Sequence, residues 1–337
     1  MTTPAATVTA PPGTRVLVIF LCETRAWEIT AEPFRRNVLD VLNADLALCV
    51  ADNVREQPNP FSEWAAHTWR FPEPDDWCDV FDAESGGDGA WRELVDLDQS
   101  FLGGLGAGAQ RTPGSGAIIM WFRRALRRCL EDNALLDAYD WFIVTRSDFL
   151  WNTPHPPMEL LDDDCIHILD GEQYGGVTDR YAAVPRHLMR RFLTVADPIF
   201  DAPHALAARM RSDREVRGNA VINPEWFVAF RLRELGLWNH VRWLPYIPYA
   251  VRLPTGHTSW RSGRFDSTRG YYVKYRGEFI RAQAVAAVIR DAADWARFLS
   301  PRRGLVRRAY VRARVACVEL PSRVRGRVAR TLRGHGA

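Results

Sequence analysis

The sequence lacks the features that would assign the protein to several common classes. Its six cysteines stand in no CxxC or other metal-ligand spacing, which argues against a zinc site and a disulfide framework and favours reduced thiols. The only early apolar run, Val16–Cys22, is far too short to cross a membrane. The Thr-, Ala- and Pro-rich beginning has no basic region of the kind found in secretory signals. We therefore expect a disordered leader over residues 1–14 and a cytoplasmic protein.

Lysine is almost absent as well. Lys274 is the single lysine among 44 Lys and Arg residues, a bias that we ascribe to codon usage in the source rather than to function. The formal net charge is +3, but arginines crowd the segment after Ser300, where acidic residues are scarce. A composition of 47% hydrophobic and 25% charged residues is ordinary for a globular protein, so a folded chain is expected rather than a largely disordered one.

Apolar runs and helical spacing alternate along the first part of the chain. Arg15–Cys22 predicts a buried strand, Phe34–Leu42 has helical spacing, and Asp45–Val50 predicts a second strand. Strand, helix and strand at this spacing favour a parallel βαβ unit. The sequence therefore predicts an α/β fold.

Further elements follow at irregular intervals. Ser115–Leu130 predicts a helix with Arg123, Arg124, Arg127 and Arg128 on its polar side. The other predicted elements are strands at Cys165–Leu169 and Tyr181–Val184, and helices at Arg186–Ala196, Pro224–Leu235 (capped by Asn223) and Phe279–Leu299. The loosely patterned stretch 55–116 includes the glycine-rich piece Gly103–Gly108, which lacks phosphate-loop spacings and predicts a connector.

The most informative run is Tyr139–Asp148, where a buried-strand pattern ends in an arginine and a carboxylate. Ligands of open α/β sheets bind in the crevice outside the carboxyl ends of the strands. Asp148 is therefore the first candidate for chemistry. The alternative is an ordinary carboxylate that caps the strand or lies on the surface.

Four blocks together resemble the GT-A-fold glycosyltransferases that use nucleotide sugars, specifically the bacterial enzymes of polysaccharide and lipopolysaccharide synthesis. The blocks are Val16–Arg25, Thr145–Asp148, Tyr174–Arg180 and Asn223–Glu225. The resemblance implies a GT-A-like, Rossmann-like domain over residues 15–299, with a mixed, mostly parallel central sheet flanked by helices. It also implies transfer of a sugar from a nucleotide-diphosphate sugar to a cell-envelope glycan or a lipid-linked acceptor.

The same resemblance implies a metal site. In the family, a DxD motif at the end of a central strand binds Mn²⁺ or Mg²⁺ against the diphosphate. The matching positions here are Arg146, Ser147 and Asp148, so an arginine replaces the first carboxylate. The resemblance implies Asp148 and His257 as metal ligands, although a surface loop histidine is the alternative for His257. Arg146 is expected to help neutralise the diphosphate, because a guanidinium matches phosphate oxygens in a bidentate way.

The remaining donor contacts are also implied by the resemblance. Glu23, Thr24 and Arg25 occupy the first loop of the βαβ unit, which holds the nucleobase in the family. Gly175 and Gly176 are expected to let the backbone approach the donor closely.

Two carboxylates are candidates for the general base that an inverting transfer needs. Glu225 is the leading candidate and Asp179 the second. Asp179 and Arg180 are also expected to contact the donor sugar, with a local salt bridge between them as the alternative. For Glu225 the alternative is a carboxylate stabilised by the helix dipole.

Asp162, Asp163 and Asp164 satisfy the DxD pattern literally. They lie between a proline- and leucine-containing segment and a predicted strand, which is the position of a solvated turn. We therefore interpret them as a turn rather than a metal site.

The arginine-rich tail, residues 300–337, predicts a basic amphipathic helix. Val311, Val315 and Val318 recur at i, i+4 and i+7 among the arginines. Such a helix would hold the protein peripherally at the anionic inner face of the plasma membrane. The alternatives are a solvated end and nucleic-acid binding. No nucleic-acid-binding module accompanies the tail, so we expect no nucleic-acid partner.

Two other functions remain open at this point. A catalytically silent sugar-nucleotide-binding or assembly protein would explain why Arg146 replaces a carboxylate. A phosphoester hydrolase would use Asp148, but the sequence has no DxDx[TV] nucleophile motif.

Overall fold

The computed structural model describes residues 13–52, 58–98, 100–105, 114–218, 221–254, 263–300 and 304–319. Its strands are β1 Val16–Cys22, β2 Asp45–Asp52, β3 Ala65–Pro72, β4 Trp141–Thr145, β5 Phe149–Trp151, β6 Ile166–Leu169, β7 Ala182–Pro185, β8 Val241–Leu244, β9 Pro248–Arg252, β10 Arg264–Asp266 and β11 Tyr271–Val273.

The helices surround these strands. Those before β6 are α1 Trp27–Phe34, α2 Asp40–Leu42, α3 Pro60–Trp64, α4 Trp77–Glu84, α5 Arg92–Leu97, α6 Gly116–Asp132 and α7 Leu135–Ala138, with a π-helical turn, Arg35–Leu39, between α1 and α2. Those after β7 are α8 Arg186–Leu193, α9 Pro198–Asp201, α10 Pro203–Arg217, α11 Pro224–Glu234, α12 Arg276–Ala286, α13 Ala292–Leu299 and α14 Leu305–Glu319.

Seven strands form the central sheet in the order β3-β2-β1-β4-β7-β6-β8. β1 pairs in parallel with β2 and with β4, whereas β7 runs antiparallel to both of its neighbours. The predicted α/β fold with a mixed, mostly parallel sheet flanked by helices is therefore confirmed. The strand order reverses direction between β1 and β4, and this switch point is where open α/β sheets bind ligands.

The continuous apolar run of β1 is explained by burial on both faces of the sheet. Leu17 and Ile19 face the core cluster that includes α6, whereas Val18 and Phe20 face the cluster that includes α1. Successive side chains of a strand point to opposite faces, so one strand anchors two helical layers.

The structure corrects two of the predicted segments. The stretch 55–116 is more than a connector, since it holds α3, β3, α4 and α5. β3 is the edge strand and its residues are only half-buried or exposed, so it carries no apolar run that would announce it. The helix predicted over Phe279–Leu299 is wrong in extent, because it is two helices, α12 and α13. The break comes at Asp291, whose carboxylate caps α13 by accepting from the backbone N–H of Asp294 at 2.7 Å.

Several predictions fall outside the described residues. They are most of the leader, residues 1–12, the later part of the glycine-rich piece, residues 106–108, His257, and residues 301–303 and 320–337 of the predicted tail helix. Among the described helices, none has the length and apolar character that spanning a bilayer requires.

A second, antiparallel sheet has the order β10-β11-β9-β5. Its strand β5 begins directly after Asp148, and β9 pairs with β5. The backbone N–H of Val251 donates to the Asp148 carbonyl at 3.0 Å, and that of Lys274 donates to Ala250 at 2.9 Å. The small sheet therefore brings Arg252 and Lys274 to the end of β4.

Candidate functional site

A cavity lies at the carboxyl ends of β1 and β4. It encloses about 700 Å³ of empty space, its open mouth included. The polar residues in its lining are Glu23, Arg25, Ser115, Thr145, Arg146, Ser147, Asp148, Asp179 and Arg180. Ser115 directly precedes α6, so the start of this 17-residue helix also faces the cavity. The partial positive charge of a helix N-terminus favours anionic ligands.

Asp148 is the charged centre of this cavity and is 2% exposed. Arg146 donates to its two carboxylate oxygens through Nε at 2.8 Å and Nη2 at 2.7 Å. Arg252 donates to the same carboxylate through Nη1. Burial by itself raises the pKa of Asp148, but the two guanidinium charges outweigh it and hold the pKa well below its ordinary value. Asp148 is therefore a permanently ionised group shared by two arginines.

Lys274 adds a third cation to this group. Its charge acts on Asp148, Arg146 and Arg252, and its ammonium lies 5.3 Å from the ring centroid of Tyr275. Among the described residues it has no ion-pair partner. Burial lowers the pKa of Lys274, and the charges of Arg146 and Arg252 lower it further, to about 7. Two arginines thus share one carboxylate, and Lys274 adds to their surplus of positive charge when it is protonated.

Some buried polar atoms of the site lack a partner within the described part of the chain. They include Nε and Nη2 of Arg252 and the hydroxyl of Thr145. An unpaired buried donor costs roughly 1–3 kcal/mol, so such atoms are expected to serve a ligand or ordered water. Arg252 is only 3% exposed and is not among the residues that line the cavity, so its unpaired donors mark a buried polar position beside Asp148.

The loop between β1 and α1 is tied to the end of β4 by Ser147. The Ser147 hydroxyl donates to the carbonyl of Glu23 at 2.8 Å and accepts from the backbone N–H of Arg25 at 2.8 Å. Glu23 and Arg25 form an ion pair with each other. Ser147, the middle residue of the Arg146–Asp148 motif, is therefore a clamp for this loop, a role that the sequence did not suggest.

Two non-glycine residues with positive φ flank the same loop. Cys22 has φ 77° and Ala26 has φ 55°. Residues in such conformations cost about 1–3 kcal/mol each and cluster at ligand-binding sites. The Ser147 contacts help to hold the loop in this conformation.

Thr24, predicted to contact substrate, has its hydroxyl turned to a neighbouring element. It accepts a hydrogen bond from Nδ2 of Asn59 at 2.9 Å, and Oδ1 of Asn59 caps α3. Glu23 and Arg25 line the cavity, as the predicted substrate contacts would require.

The loop after β6 reaches the cavity because β6 runs parallel to β4. Gly176 in this loop packs so closely on the start of α11 that a Cβ atom there would lie 1.9 Å from the carbonyl oxygen of Glu225. At Gly176 the missing side chain therefore lets two backbone segments of the protein approach each other, whereas the sequence predicted an approach to the donor. Gly175 has open space around it but a φ of 88°, which glycine adopts without strain.

Arg180 is held by a buried acidic partner that sequence reasoning missed. Glu278, on α12, accepts from Arg180 and from the hydroxyl of Tyr246, the latter at 2.8 Å. The local Asp179–Arg180 pair is looser, at 3.9 Å. The guanidinium of Arg180 also lies 4.4 Å from the ring centroid of Tyr275. Because Glu278 is fully buried, it fixes where Arg180 enters the cavity.

Arg123 was predicted on the polar side of α6, and this prediction is wrong. It is 5% exposed, and its Nη2 donates to the carbonyl of Asp179 at 2.8 Å. The Asp179 loop supplies a polar contact on an otherwise apolar face of α6, which helical periodicity alone does not reveal. Arg124, Arg127 and Arg128 do form ion pairs on the outer side of the helix, with partners that include Glu84 and Asp197.

Glu225 and Asp179 interact as a pair of carboxylates. Burial, followed by the negative charge of Asp179, raises the pKa of Glu225 from 4.5 to about 8. Asp179 belongs to the described lining of the cavity and Glu225 does not. Asn223 caps α11 as predicted, accepting from the backbone N–H of Trp226 at 2.8 Å. A carboxyl group with a pKa near neutrality is suited to proton transfer.

A wider groove has Lys274 in its lining. Its lining includes four aromatic rings and several polar groups: Tyr174, Phe265, Tyr275, Phe279, Glu172 and Lys274. Aromatic rings with polar groups around them suit the alternating apolar and hydroxyl surfaces of a sugar.

The groups around Asp148 do not fit a divalent cation well. Both of its carboxylate oxygens already accept from arginines, and Lys274 adds like charge to any metal ion. Its assignment to a metal stays a prediction, as does that of His257.

The literal DxD segment has a different location. Asp162, Asp163 and Asp164 are exposed and offer one oxygen each within 4.8 Å of one another, a spacing that allows one ion to contact all three. They precede β6, which runs parallel to β4 because both pair antiparallel with β7. The cluster therefore lies at the amino edge of the sheet, opposite the cavity.

Comparison with known proteins does not assign this arrangement to a family. No protein-family model matches the chain, and a search of curated proteins finds no significant match. The case for function therefore comes from the site itself.

Proposed function

We propose that the protein is a glycosyltransferase whose cavity binds the diphosphate of a nucleotide-sugar donor. The observation that supports this most is the surplus positive charge: Arg146, Arg252 and Lys274 surround the single carboxylate of Asp148. A diphosphate in the cavity supplies negative charge to balance these cations, and its oxygens can accept from Arg146, which lines the cavity. The place is the switch point of the sheet, where ligands of this architecture bind.

The same charges suit the chemistry. Breaking the bond between sugar and phosphate builds negative charge on the leaving diphosphate. Preorganised cations in a buried site stabilise such charge by several kcal/mol in the transition state. In the family that the sequence resembles, a divalent ion stabilises the leaving diphosphate. In this proposal the charge is stabilised by Arg146, Arg252 and Lys274. The resemblance implies that donor binding depends on Mn²⁺ or Mg²⁺, and the binding screen therefore compares donors with and without a divalent ion.

Other residues take roles around this centre. Glu23 and Arg25 contact the nucleoside end, and Arg180 contacts the sugar. Asp179, which lines the cavity, and Glu225 behind it form the pair proposed to take the proton of the acceptor hydroxyl; a pKa of about 8 makes Glu225 a stronger base than an ordinary carboxylate when it is ionised. The aromatic groove beside Lys274 receives the acceptor, a cell-envelope glycan or lipid-linked sugar.

The test is a thermal-shift and calorimetric screen of UDP, GDP, CDP and TDP sugars, each with Mn²⁺ and with EDTA. We expect one nucleotide to raise the melting temperature, because selective binding stabilises the folded state. Lys274→Met should weaken that binding about tenfold or more, since it removes one charged hydrogen-bond donor. No stabilisation by any of these donors would overturn the proposal.

A matched control removes one positive charge at the opposite edge of the sheet. Arg191 is exposed on α8, and Arg191→Gln should leave nucleotide binding unchanged. Equal losses of nucleotide affinity in Lys274→Met and Arg191→Gln would mean that binding depends only on the net charge of the protein.

A catalytically silent sugar-nucleotide-binding protein is the second candidate, favoured by the arginine at the first DxD position. It predicts the same binding with no release of nucleotide diphosphate when donor and acceptor are supplied. The hydrolase alternative has no such support, because the two oxygens of Asp148 accept from guanidinium groups instead of standing free as a nucleophile.

A further inference from the structure

The helix α14 has its orientation fixed by contacts on one side. Arg307 donates to Asp294 at 2.7 Å and to the carbonyl of Val288 at 3.1 Å. Arg308 donates to the carbonyl of Ser300 at 3.0 Å. Val311, on the same side, packs against the core cluster that contains Trp295. The valine stripe predicted to face a membrane is therefore turned towards the body of the protein at Val311, and Val315 is half-buried.

The opposite side of α14 carries a different apolar surface. Leu305 is 61% exposed, Val306 is 79% exposed and Tyr310 is 47% exposed. Val306 and Tyr310 are one helical turn apart, and Leu305 adjoins them. Exposed aliphatic side chains that adjoin one another at solvent are unusual and indicate an interaction surface.

Positive charge flanks this surface. With 3.6 residues per turn, Arg314 falls beside Tyr310 at one edge of this surface, and Arg312 falls in line with Leu305 at the other edge. Both arginines are exposed. The sequence has no Asp or Glu in 305–318 or in 320–337. An apolar strip between two arginines matches a surface with negative headgroups above a hydrocarbon layer.

We propose that this outer face of α14, formed by Leu305, Val306, Tyr310, Arg312 and Arg314, docks on an anionic lipid membrane. The contact is peripheral, with the aliphatic side chains among the lipid chains and the arginines at the headgroups. Nucleic acid is a poorer match, because its phosphates would pair with the arginines but provide no apolar surface for Leu305 and Val306. The proposal does not depend on glycosyl transfer.

The experiment is co-sedimentation of the full chain with phosphatidylcholine vesicles, with and without phosphatidylglycerol. We expect binding only when phosphatidylglycerol is present, and weaker binding at high salt. The double variant Leu305→Ser/Val306→Ser should lower the partition coefficient about tenfold or more, because it removes most of the inserted apolar area. Arg312→Gln and Arg314→Gln should each lower it about fivefold.

Val221→Ser is the matched control, since Val221 is 50% exposed and lies on a different element. It should bind vesicles as the wild type does, and circular dichroism should show that all variants are folded. Unchanged vesicle binding by the double serine variant would overturn the proposal. So would absence of binding to anionic vesicles, with or without binding to a duplex DNA or RNA oligonucleotide. None of these readouts requires a sugar donor, so they separate this proposal from the proposed activity.

Discussion

Arg252 donates to the carboxylate of Asp148 across 104 positions of sequence, and both side chains are buried. Arg146 holds the same carboxylate from two positions away. One contact is local, and the other exists only because β9 pairs with β5. The small sheet is therefore part of the site.

Removing the charge of Asp148 should destabilise the protein strongly. In Asp148→Asn the half-buried Arg146 and the buried Arg252 lose their counter-charge. Breaking a buried pair in this way costs roughly 3–5 kcal/mol of unfolding free energy. Urea denaturation followed by circular dichroism measures the change.

The control for this variant is an exposed pair of the same kind. Asp40 lies 3.8 Å from Arg35, and both side chains are more than half exposed. Asp40→Asn should change the unfolding free energy by less than about 1 kcal/mol. Similar losses in both variants would show that burial of Asp148 has no special effect.

Glu225→Gln should stabilise the protein increasingly as pH rises. The carboxyl group ionises near 4.5 when unfolded and near 8 when folded, so between these values the unfolded state has released a proton that the folded state retains. Wild-type stability therefore falls with pH in this window, by up to about 1.4 kcal/mol per pH unit, and glutamine removes that loss. Urea denaturation from pH 4 to 8 measures the difference.

A carboxylate whose pKa is shifted in the opposite direction serves as the control. Burial raises the pKa of Glu84, but Arg128 and Arg124 outweigh it, so the net pKa is lowered. Glu84→Gln should be less stable than wild type at neutral pH, with a deficit that shrinks as pH falls below the ordinary value of 4.5. A pH-independent gain in Glu225→Gln would contradict the raised pKa.

Lys274 should react with amine reagents at unusually low pH. Its acetylation, followed by mass spectrometry of the Lys274 peptide, should have a midpoint at pH about 7 instead of 10.5. The same peptide in the urea-unfolded chain provides the reference. Inorganic pyrophosphate should raise the midpoint, because a bound anion favours the charged amine. An ordinary midpoint in the folded protein would remove Lys274 from the cation cluster.

Two adjacent glycines should differ in their response to alanine. Gly176→Ala forces a Cβ against the backbone of Glu225, and such overpacking costs roughly 1–3 kcal/mol, or more when backbone must move. Gly175→Ala meets open space and should lose only about 1 kcal/mol, from its positive φ. Thermal unfolding of the two variants tests this order, and a larger loss at Gly175 would reverse the interpretation.

Much of the central sheet was predictable because its signals are local. The apolar run of β1 and the strand, helix and strand spacing predicted a parallel unit, which is confirmed. Asn223 and Pro224 announced the start of α11 because caps act within one turn. The edge strand β3 was missed because it carries no apolar run. The break at Asp291 was missed because apolar residues continue at helical spacing on both sides of it.

By itself, the sequence determined the α/β class, the place of Arg146 and Asp148 at the end of a buried strand, and the helical character of α14. Only the tertiary structure decided that Arg252 and Lys274 join Asp148, that Glu278 holds Arg180, and which side of α14 faces solvent. The hydrophobic periodicity of a segment indicates which of its faces is buried against the neighbouring layer. Contacts between residues a hundred positions apart depend instead on how strands pair across the molecule, and no local pattern encodes that pairing.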